Sequence, residues 1–342
     1  MEHYQIKCKE HGLQVIDNPL IEKGKNISRM LRQNIYELNK VLPNKYTAEY
    51  FRVSQDTVRN IDKEMITYYK SLRNLSPKAI GLDEMSIGNG HNNYIHILSD
   101  IQNREVIDIG EGRKESNVNK TMEKNKRTFK KVKYGVIDMW EGFKNSLEKF
   151  IPGLMIIYDK FHIVKHLNEA IDNIRKNVYR DSRGKSAEVI KGQKYILLSK
   201  RENLNAKKEK RLKELMKLNE PLYQAYLLKE NFFQLWSYKT MGWAKRFFER
   251  WKSQLQDIPH LKPLKKFAEM IERKEEGVFN YFKVKGSISL GYVEGTNNKA
   301  RHLINRGYGY RDREYLYLKI IQQCSQSLSK FNRNNLKFID SS

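Results

Sequence analysis

Acidic residues stand at the ends of predicted strands in this sequence, and their placement suggests phosphodiester chemistry. Asp83 falls late in one strand-like run, Asp138 ends another, and Glu294 directly precedes a predicted helix start. Cleaving or transferring a phosphodiester requires an activated oxygen nucleophile and neutralised charge on the attacking and leaving oxygens. Two Mg²⁺ ions roughly 3.5–4 Å apart, held by Asp and Glu oxygens, meet both needs. We therefore interpret these three residues as catalytic metal ligands, with Mn²⁺ expected to substitute for Mg²⁺.

Each of these carboxylates also has a purely structural interpretation. Asp83 is compatible with a turn, Asp138 with a cap on the following helix, and Glu294 with the positive end of a helix macrodipole. For any one residue alone, the structural interpretation is the stronger. Three acids at matching elements of one strongly basic chain favour the catalytic interpretation.

A fourth acid, Asp159, ends the next predicted strand and opens the segment Asp159-Lys-Phe-His162. His166 follows one helical turn later, and histidines four residues apart on a helix can share a metal. No cysteine or second group of ligands lies nearby in the sequence, so zinc is not expected. We interpret Asp159 as a helix cap and His162 as a residue at the edge of the site, with contact to a nucleic-acid phosphate as the next alternative.

The elements that position these acids lie between about residues 78 and 177. Three short strand patterns come first and are separated by turn signals. Helices and strands then alternate over 116–131, 132–138, 140–150, 154–159 and 162–177. Three antiparallel strands followed by two parallel additions predict a ribonuclease-H-like α/β core with a mixed five-stranded sheet. In that arrangement the first and fourth strands are neighbours, which would bring Asp83 and Asp138 together at one edge.

The chain before this core has helical periodicity. Residues 47–63 read as two short helices around a tight turn, with Ser54 as the N-cap of the second. In that second helix Val58 and Ile61 point inward, and the polar residues that point outward are Gln55, Thr57, Arg59, Asn60 and Lys63. This pattern predicts a helix-turn-helix whose second helix enters a DNA major groove. A helical hairpin with a solvated polar face is the alternative.

The charge of the chain points to a polyanionic partner. Lys and Arg number 65 and Asp and Glu number 40, a formal net charge of +25. A surface this positive attracts nucleic acid first and an anionic membrane second. No run approaches the roughly 18 apolar residues of a membrane span, and no Gly-rich loop of the dinucleotide or Walker type is present. Two cysteines fit a reducing cytosol.

Residues from about 181 to 281 are again helical and form a predicted all-α insertion.

Several motifs, taken in order, resemble the DDE transposases of bacterial insertion sequences in the ISL-three family. The resemblance runs from roughly Asn26 to Ile321, and its most specific parts are the Asp-Lys-Phe-His and Glu-Gly-x-Asn-Asn-Lys blocks. The matching segments begin at Gly81, Gly112, Val136, Pro152, Asn168, Glu294 and Gly307.

This resemblance implies metal-dependent cleavage and strand transfer of double-stranded DNA at the terminal inverted repeats of a mobile element, with target DNA as a second partner. Asp83 would bridge two ions, and Asp138 and Glu294 would hold one each. In the family Asp159 is an alternative for the second acid; we prefer Asp138 because it ends the fourth strand. The remaining implied accessory residues near the site are Asp159, His162, Asn298 and Lys299.

Arginines next to these motifs are the further candidates for DNA contact, namely Arg113, Arg301, Arg306 and Arg311. Because such reactions join two DNA ends, the resemblance implies a homodimer on paired ends. It also implies a bacterial cytoplasmic protein associated with the nucleoid, with no membrane partner.

Relatives in this family commonly begin with a four-ligand zinc ribbon, of which only Cys8-Lys-Glu-His11 remains here. Two ligands cannot close a structural zinc site. The predicted organisation is therefore a degenerate or truncated ribbon remnant (1–25), a helix-turn-helix domain (26–76), the first part of the catalytic core (77–180), the helical insertion (181–285) and the last part of the core with a C-terminal helix (286–342). A catalytically silent DNA-binding regulator and a ribonuclease-H-like structure-specific nuclease are the alternative functions.

Overall fold

The computed structural model describes residues 5–9, 12–15, 27–88, 93–256, 258–286, 291–307 and 310–331. The chain divides into two compact units. The first comprises Met1–Pro77, Glu84–Arg113 and Gly291–Ser342, and the second comprises Lys78–Asp83 and Lys114–Leu290. Within the described residues, no helix is both long and apolar enough to span a membrane.

The described strands are β1 (Gln5–Cys8), β2 (Gly12–Val15), β3 (Ala79–Ser86), β4 (Tyr94–Asp100), β5 (Glu105–Glu111), β6 (Tyr134–Ile137) and β7 (Met155–Tyr158). The helices up to the end of the sheet region are α1 (Arg29–Asn39), α2 (Asn44–Phe51), α3 (Gln55–Ser71), α4 (Glu115–Asn125), α5 (Glu141–Phe150) and α6 (Lys160–Asp181). A 3₁₀ helix, Lys126–Lys131, extends α4.

The helices that follow are α7 (Gly184–Ile190), α8 (Lys194–Leu198), α9 (Ala206–Leu218), α10 (Glu220–Phe232), α11 (Met241–Ser253), α12 (Lys262–Arg273), α13 (Glu275–Phe279), α14 (Tyr281–Val284), α15 (Gly291–Arg306), α16 (Arg313–Cys324) and α17 (Gln326–Ser329). Shorter 3₁₀ helices lie at Arg201–Asn203, Phe233–Ser237 and Pro259–Leu261. The described residues after α6 therefore form helices and no strand, as the sequence predicts for this region.

Five strands form one mixed sheet in the order β5-β4-β3-β6-β7. The strands β4 and β5 pair antiparallel, with a register shift between Leu98 and Ser99. The strands β3, β6 and β7 run parallel, which places the first and fourth strands of this sheet side by side, as predicted. The separate β1–β2 hairpin contains Cys8; His11, the other residue of the predicted ribbon remnant, lies outside the described residues.

In the first unit, α2 and α3 are joined by a three-residue turn in which Arg52 has a φ of 54°. The hydroxyl of Ser54 accepts a hydrogen bond from the backbone N–H of Thr57 at 3.0 Å, so the predicted N-cap is present. Val58 and Ile61 are buried with residues of α1 and α2. The helix α3 is longer than predicted because its C-terminal half continues the apolar face, with Ile66 packing beside Tyr315 of α16.

A buried polar network also ties α3 to α1 and α16. The Asp62 carboxylate lies 2.9 Å from the Lys319 ammonium and accepts hydrogen bonds from Asn39 and from the Tyr315 hydroxyl, each at 2.7 Å. Lys319 also donates to the Asn39 carbonyl oxygen at 2.9 Å and to Gln322 at 2.6 Å. Because a buried charge is tolerated only when it is paired and hydrogen-bonded, this network fixes how the three helices pack.

We expect Lys319→Met to lower the free energy of unfolding by about 3–5 kcal/mol, since it leaves the Asp62 carboxylate buried without its cation. Urea denaturation would measure the loss. The double variant Asp62→Asn/Lys319→Met should lose less than the sum of the single variants, because the two residues interact directly.

The matched control is Glu314→Gln, which removes an ion pair with Lys63. The Glu314 side chain is 76% exposed. That change should cost less than about 1 kcal/mol. Equal losses for Lys319→Met and Glu314→Gln would contradict the role given to the buried network.

Candidate active site at the carboxyl ends of three parallel strands

The register of the parallel strands aligns three aspartates. Leu82 of β3 is level with Ile137 of β6, and Ile137 is level with Tyr158 of β7. The next residue on each strand is an aspartate, namely Asp83, Asp138 and Asp159. Parallel strands lie about 4.8 Å apart, so the outer two α-carbons of this row are about 10 Å apart. The second unit thus carries three carboxylates in a row across the neighbouring strands β3, β6 and β7.

Asp83 lies within β3 and is buried. Its Oδ1 is 3.9 Å from Nε2 of His162, which lies on the first turn of α6. Burial lowers the pKa of His162, an effect that the nearby Asp159 opposes. The ring of His162 therefore favours the neutral form beside the Asp83 carboxylate.

Asp138 follows β6 and is partly buried. Its Oδ1 accepts a hydrogen bond from the backbone N–H of Trp140 at 2.9 Å, which fixes the turn into α5. Burial raises the pKa of Asp138, while the Trp140 hydrogen bond and the nearby Lys165, His166 and Lys274 act in the opposite direction. A carboxylate that is costly to ionise in the protein alone is stabilised when a cation binds it.

Asp159 is buried and is the N-cap of α6. Its Oδ1 accepts from the backbone N–H of Phe161 at 3.0 Å, and its own N–H donates to the Ile137 carbonyl oxygen at 2.8 Å. The capping role expected from the sequence is therefore present, and it also fixes the position of His162 on the next turn.

The third expected acid belongs to the other unit. Glu294 lies in the first turn of α15 and is partly buried. Asn298 and Lys299 lie on the same helix and are exposed. The row in the second unit therefore brings together Asp83, Asp138, Asp159 and His162, while Glu294, Asn298 and Lys299 sit together in the first unit.

Hard oxygen ligands such as these suit Mg²⁺ or Mn²⁺. Asp83 and Asp138 fit this donor chemistry, because they are neighbours in the row, with Asp83 buried and Asp138 partly buried. Among the described residues, no group of three or more His, Cys, Asp and Glu side chains is gathered to hold a metal ion. The cap on α6 commits one oxygen of Asp159 to the helix.

Three of the five residues on α3 that are expected to contact DNA have partners within the first unit. Gln55 and Asn60 are exposed, whereas Thr57 shares a hydrogen bond with Ser54 at 2.8 Å and Arg59 pairs with Asp56 at 3.0 Å. Lys63 lies 3.0 Å from Asp312 and 2.7 Å from Glu314, and hydrogen bonds from its ammonium to both carboxylates raise its pKa. The Lys63 ammonium is thus paired with two carboxylates at the start of α16.

The arginines expected to contact DNA are exposed or half-exposed in the first unit. Arg113 stacks over the Tyr94 ring at 5.2 Å, Arg301 donates to Asn298, and Arg306 donates to the Val41 carbonyl oxygen. Arg311 is exposed beside the start of α16.

Sequence reasoning did not identify Lys274 as part of the site. Its ammonium pairs with Glu141, which follows Asp138 by three residues, and it lies 5.3 Å from the centre of the Tyr158 ring. It also favours the ionised form of Asp138. No local sequence signal reveals this role, because Lys274 reaches the strand ends from more than a hundred residues away.

The mixed sheet and the row of aligned carboxylates define an α/β protein with an acidic candidate site. A family profile described as "Transposase", for the DDE transposases of the ISL-three type, matches residues 80–320. The transposase for insertion sequence element IS1001 of Bordetella parapertussis is 29% identical over 279 residues, which cover 80% of this chain and 68% of that protein.

A second relative, the transposase for insertion sequence element IS1557 of Mycobacterium tuberculosis, is 24% identical over 290 residues, which cover 78% of this chain and 62% of that protein. The matched region thus spans about two thirds of the length of each relative. The chain belongs to the ISL-three family of DDE transposases, a family of DNA-processing enzymes.

We expect Asp159→Ala to lower the free energy of unfolding by about 1 kcal/mol, because it removes the N-cap of α6. Asp159→Asn should cost much less, since an amide oxygen can accept the same hydrogen bond from the Phe161 N–H. Thermal and urea denaturation of the two variants would measure the difference. Equal destabilisation by Ala and Asn would indicate that the charge of Asp159, rather than its cap, supports the fold.

Proposed function

We propose that this protein cleaves DNA at the terminal inverted repeats of an insertion sequence and joins the freed strands to target DNA by two-metal-ion chemistry. The observation that carries the proposal is the alignment of Asp83 and Asp138 on neighbouring parallel strands. Membership of a DDE transposase family supports the reaction class.

In this proposal Asp83, Asp138 and Glu294 would hold the divalent ions. When bound, the ions supply charge neutralisation at the attacking and leaving oxygens and lower the pKa of the attacking hydroxyl. The residues of the chain position the reaction. Asp159 fixes the first turn of α6, and this turn places the neutral His162 ring 3.9 Å from Asp83. His162 excludes water from one side of that carboxylate, while Lys274 helps to keep Asp138 ionised.

We also propose that the core is ribonuclease-H-like and that α2 and α3 form a DNA-binding helix-turn-helix. The strand order β5-β4-β3-β6-β7, with three parallel strands at one side, supports the first assignment. The capped turn at Ser54, together with the exposed Gln55 and Asn60, supports the second. Arg113, Arg301, Arg306 and Arg311 would contact phosphates, and Asn298 and Lys299 would flank Glu294. Two copies of the chain would hold paired DNA ends.

A cleavage and strand-joining assay on labelled element-end DNA tests this proposal. We expect Asp83→Asn, Asp138→Asn and Glu294→Gln each to lower the cleavage rate by at least about 100-fold, equivalent to about 2.7 kcal/mol of transition-state stabilisation. Activity should require Mg²⁺ or Mn²⁺ and disappear with EDTA. Asp181→Asn is the matched control, because Asp181 ends α6 with a side chain that is 75% exposed, and it should leave the rate unchanged.

Each other outcome of this assay excludes part of the proposal. Loss of cleavage in Asp159→Asn, with cleavage retained in Asp138→Asn, would make Asp159 the second acid. Binding of end DNA without cleavage by the wild type would indicate a DNA-binding regulator. Cleavage of branched DNA with no preference for the inverted repeat would indicate a structure-specific nuclease.

A further inference from the structure

A groove of about 440 Å³ runs along one face of α6 in the second unit, and α8 forms its other wall. It begins at Phe161, two residues after Asp159, and continues past Asn168 to Lys194. Its volume lies within the range of about 300–1,000 Å³ that is typical of small-molecule sites. The groove therefore has room for one nucleotide but not for a duplex. It contains the Asn168 segment, which the sequence analysis singled out and the proposed reaction does not use.

Phe161 provides an aromatic surface at the end of the groove nearest the row of aspartates. Its side chain is 48% exposed, and its ring centre lies 5.8 Å from that of His162, with the planes tilted by 54°. A large apolar ring held open to solvent beside charged groups is costly to hydrate, and the faces of nucleobases stack on such rings.

Asn168 provides an unsatisfied polar group at the floor of the groove. Its Oδ1 is shielded from solvent and accepts no hydrogen bond within the described part of the chain. A buried acceptor without a donor costs about 1–3 kcal/mol, and this cost is recovered when a ligand supplies the donor. A ligand in the groove would reach this acceptor after rotation about the soft χ2 torsion of Asn168. The edges of nucleobases carry amino and ring N–H donors that match this acceptor.

Cations line both ends of the groove. Lys165 follows Phe161 by one helical turn, is exposed, and makes no ion pair with a carboxylate among the described residues. At the far end the buried Asp172 carboxylate lies 3.1 Å from Lys176 and 3.7 Å from Lys194, so these lysines are held at the rim. Glu169, which pairs with His166 at 3.1 Å, is the other acid at the groove. A phosphate would therefore be held at the Lys165 end.

We propose that this groove binds one unpaired nucleotide of the DNA strand next to the cleaved phosphodiester, with its base stacked on Phe161 and hydrogen-bonded to Asn168 and its phosphate near Lys165. The inference rests on the proposed function, because it places the groove beside the reacting strand. It adds three DNA-binding residues to the proposed site. Binding in this groove requires one base to leave the duplex. Removing a base from its stack costs a few kcal/mol, which the groove would offset.

A coupling experiment between protein and DNA tests the proposal. The probes are end-DNA duplexes that carry a single abasic residue, moved one nucleotide at a time across the cleavage position, with affinity measured in EDTA so that no cleavage occurs. For the wild type, one abasic position should weaken binding by at least about fivefold relative to its neighbours. In Phe161→Ala that position should lose its effect, because the stacking partner is already absent. Asn168→Ala should reduce the effect in part.

The matched control is Tyr179→Ala, which removes an aromatic side chain of similar exposure, 41%, from the same helix outside the groove. This variant should keep the full abasic effect. Phe161→Leu, which retains apolar volume but not the ring, should behave like Phe161→Ala. Melting temperatures would show that all variants are folded.

Independent effects of Phe161→Ala and the abasic residue, or no sensitive position in the wild type, would overturn the groove assignment. Either result, with cleavage of end DNA intact, would leave the proposed function standing. Conversely, the protein could show an abasic position whose effect on binding depends on Phe161 and yet never cleave end DNA. That result would support the groove and contradict the proposed reaction.

Discussion

The register between β3, β6 and β7 is the constraint on which the candidate site depends. Pairing of Leu82 with Ile137, and of Ile137 with Tyr158, forces the next three residues to one level, and all three are aspartates. A shift of one residue in either pairing would turn a carboxylate to the opposite face of the sheet. The alignment also concentrates negative charge at one place in a strongly basic chain. Neighbouring residues such as Lys274 and His162 lie close to these carboxylates.

Several contacts within the second unit pack helices against the strands that carry the aspartates. Gly135 of β6 allows α5 to approach closely, since a β-carbon there would lie 2.9 Å from the Leu147 side chain. Gly277 of α13 likewise makes room for the Tyr158 ring, and the Asn280 amide donates to the Ile156 carbonyl oxygen at 2.9 Å. The helical region after α6 therefore packs on β7 and presents Lys274 to the strand ends. These helices therefore contribute a residue to the surroundings of the aligned aspartates.

The sequence was sufficient to predict features that depend on local chemistry. Residue type and spacing alone predict a strand that contains Asp83, strands that end at Asp138 and Asp159, and the Ser54 cap. The mixed sheet and the cap are confirmed. Ion pairs between distant segments were not predictable. The ion pairs that Lys63, a predicted DNA contact, makes with Asp312 and Glu314 join segments about 250 residues apart. The buried pair of Asp62 and Lys319 and the groove at Asn168 depend on packing in the same way. The roles of Glu294 and of the predicted DNA-contact residues remain predictions.

Binding of Mn²⁺ to the isolated protein tests the central claim most directly, because it measures the carboxylate row without requiring a DNA substrate. Electron paramagnetic resonance titration should show that Asp83→Asn and Asp138→Asn each weaken Mn²⁺ binding by at least about tenfold, about 1.4 kcal/mol, whereas Asp181→Asn binds as the wild type does. Mn²⁺ affinities that are equal in the wild type, Asp83→Asn and Asp138→Asn would contradict a metal site at the aligned aspartates.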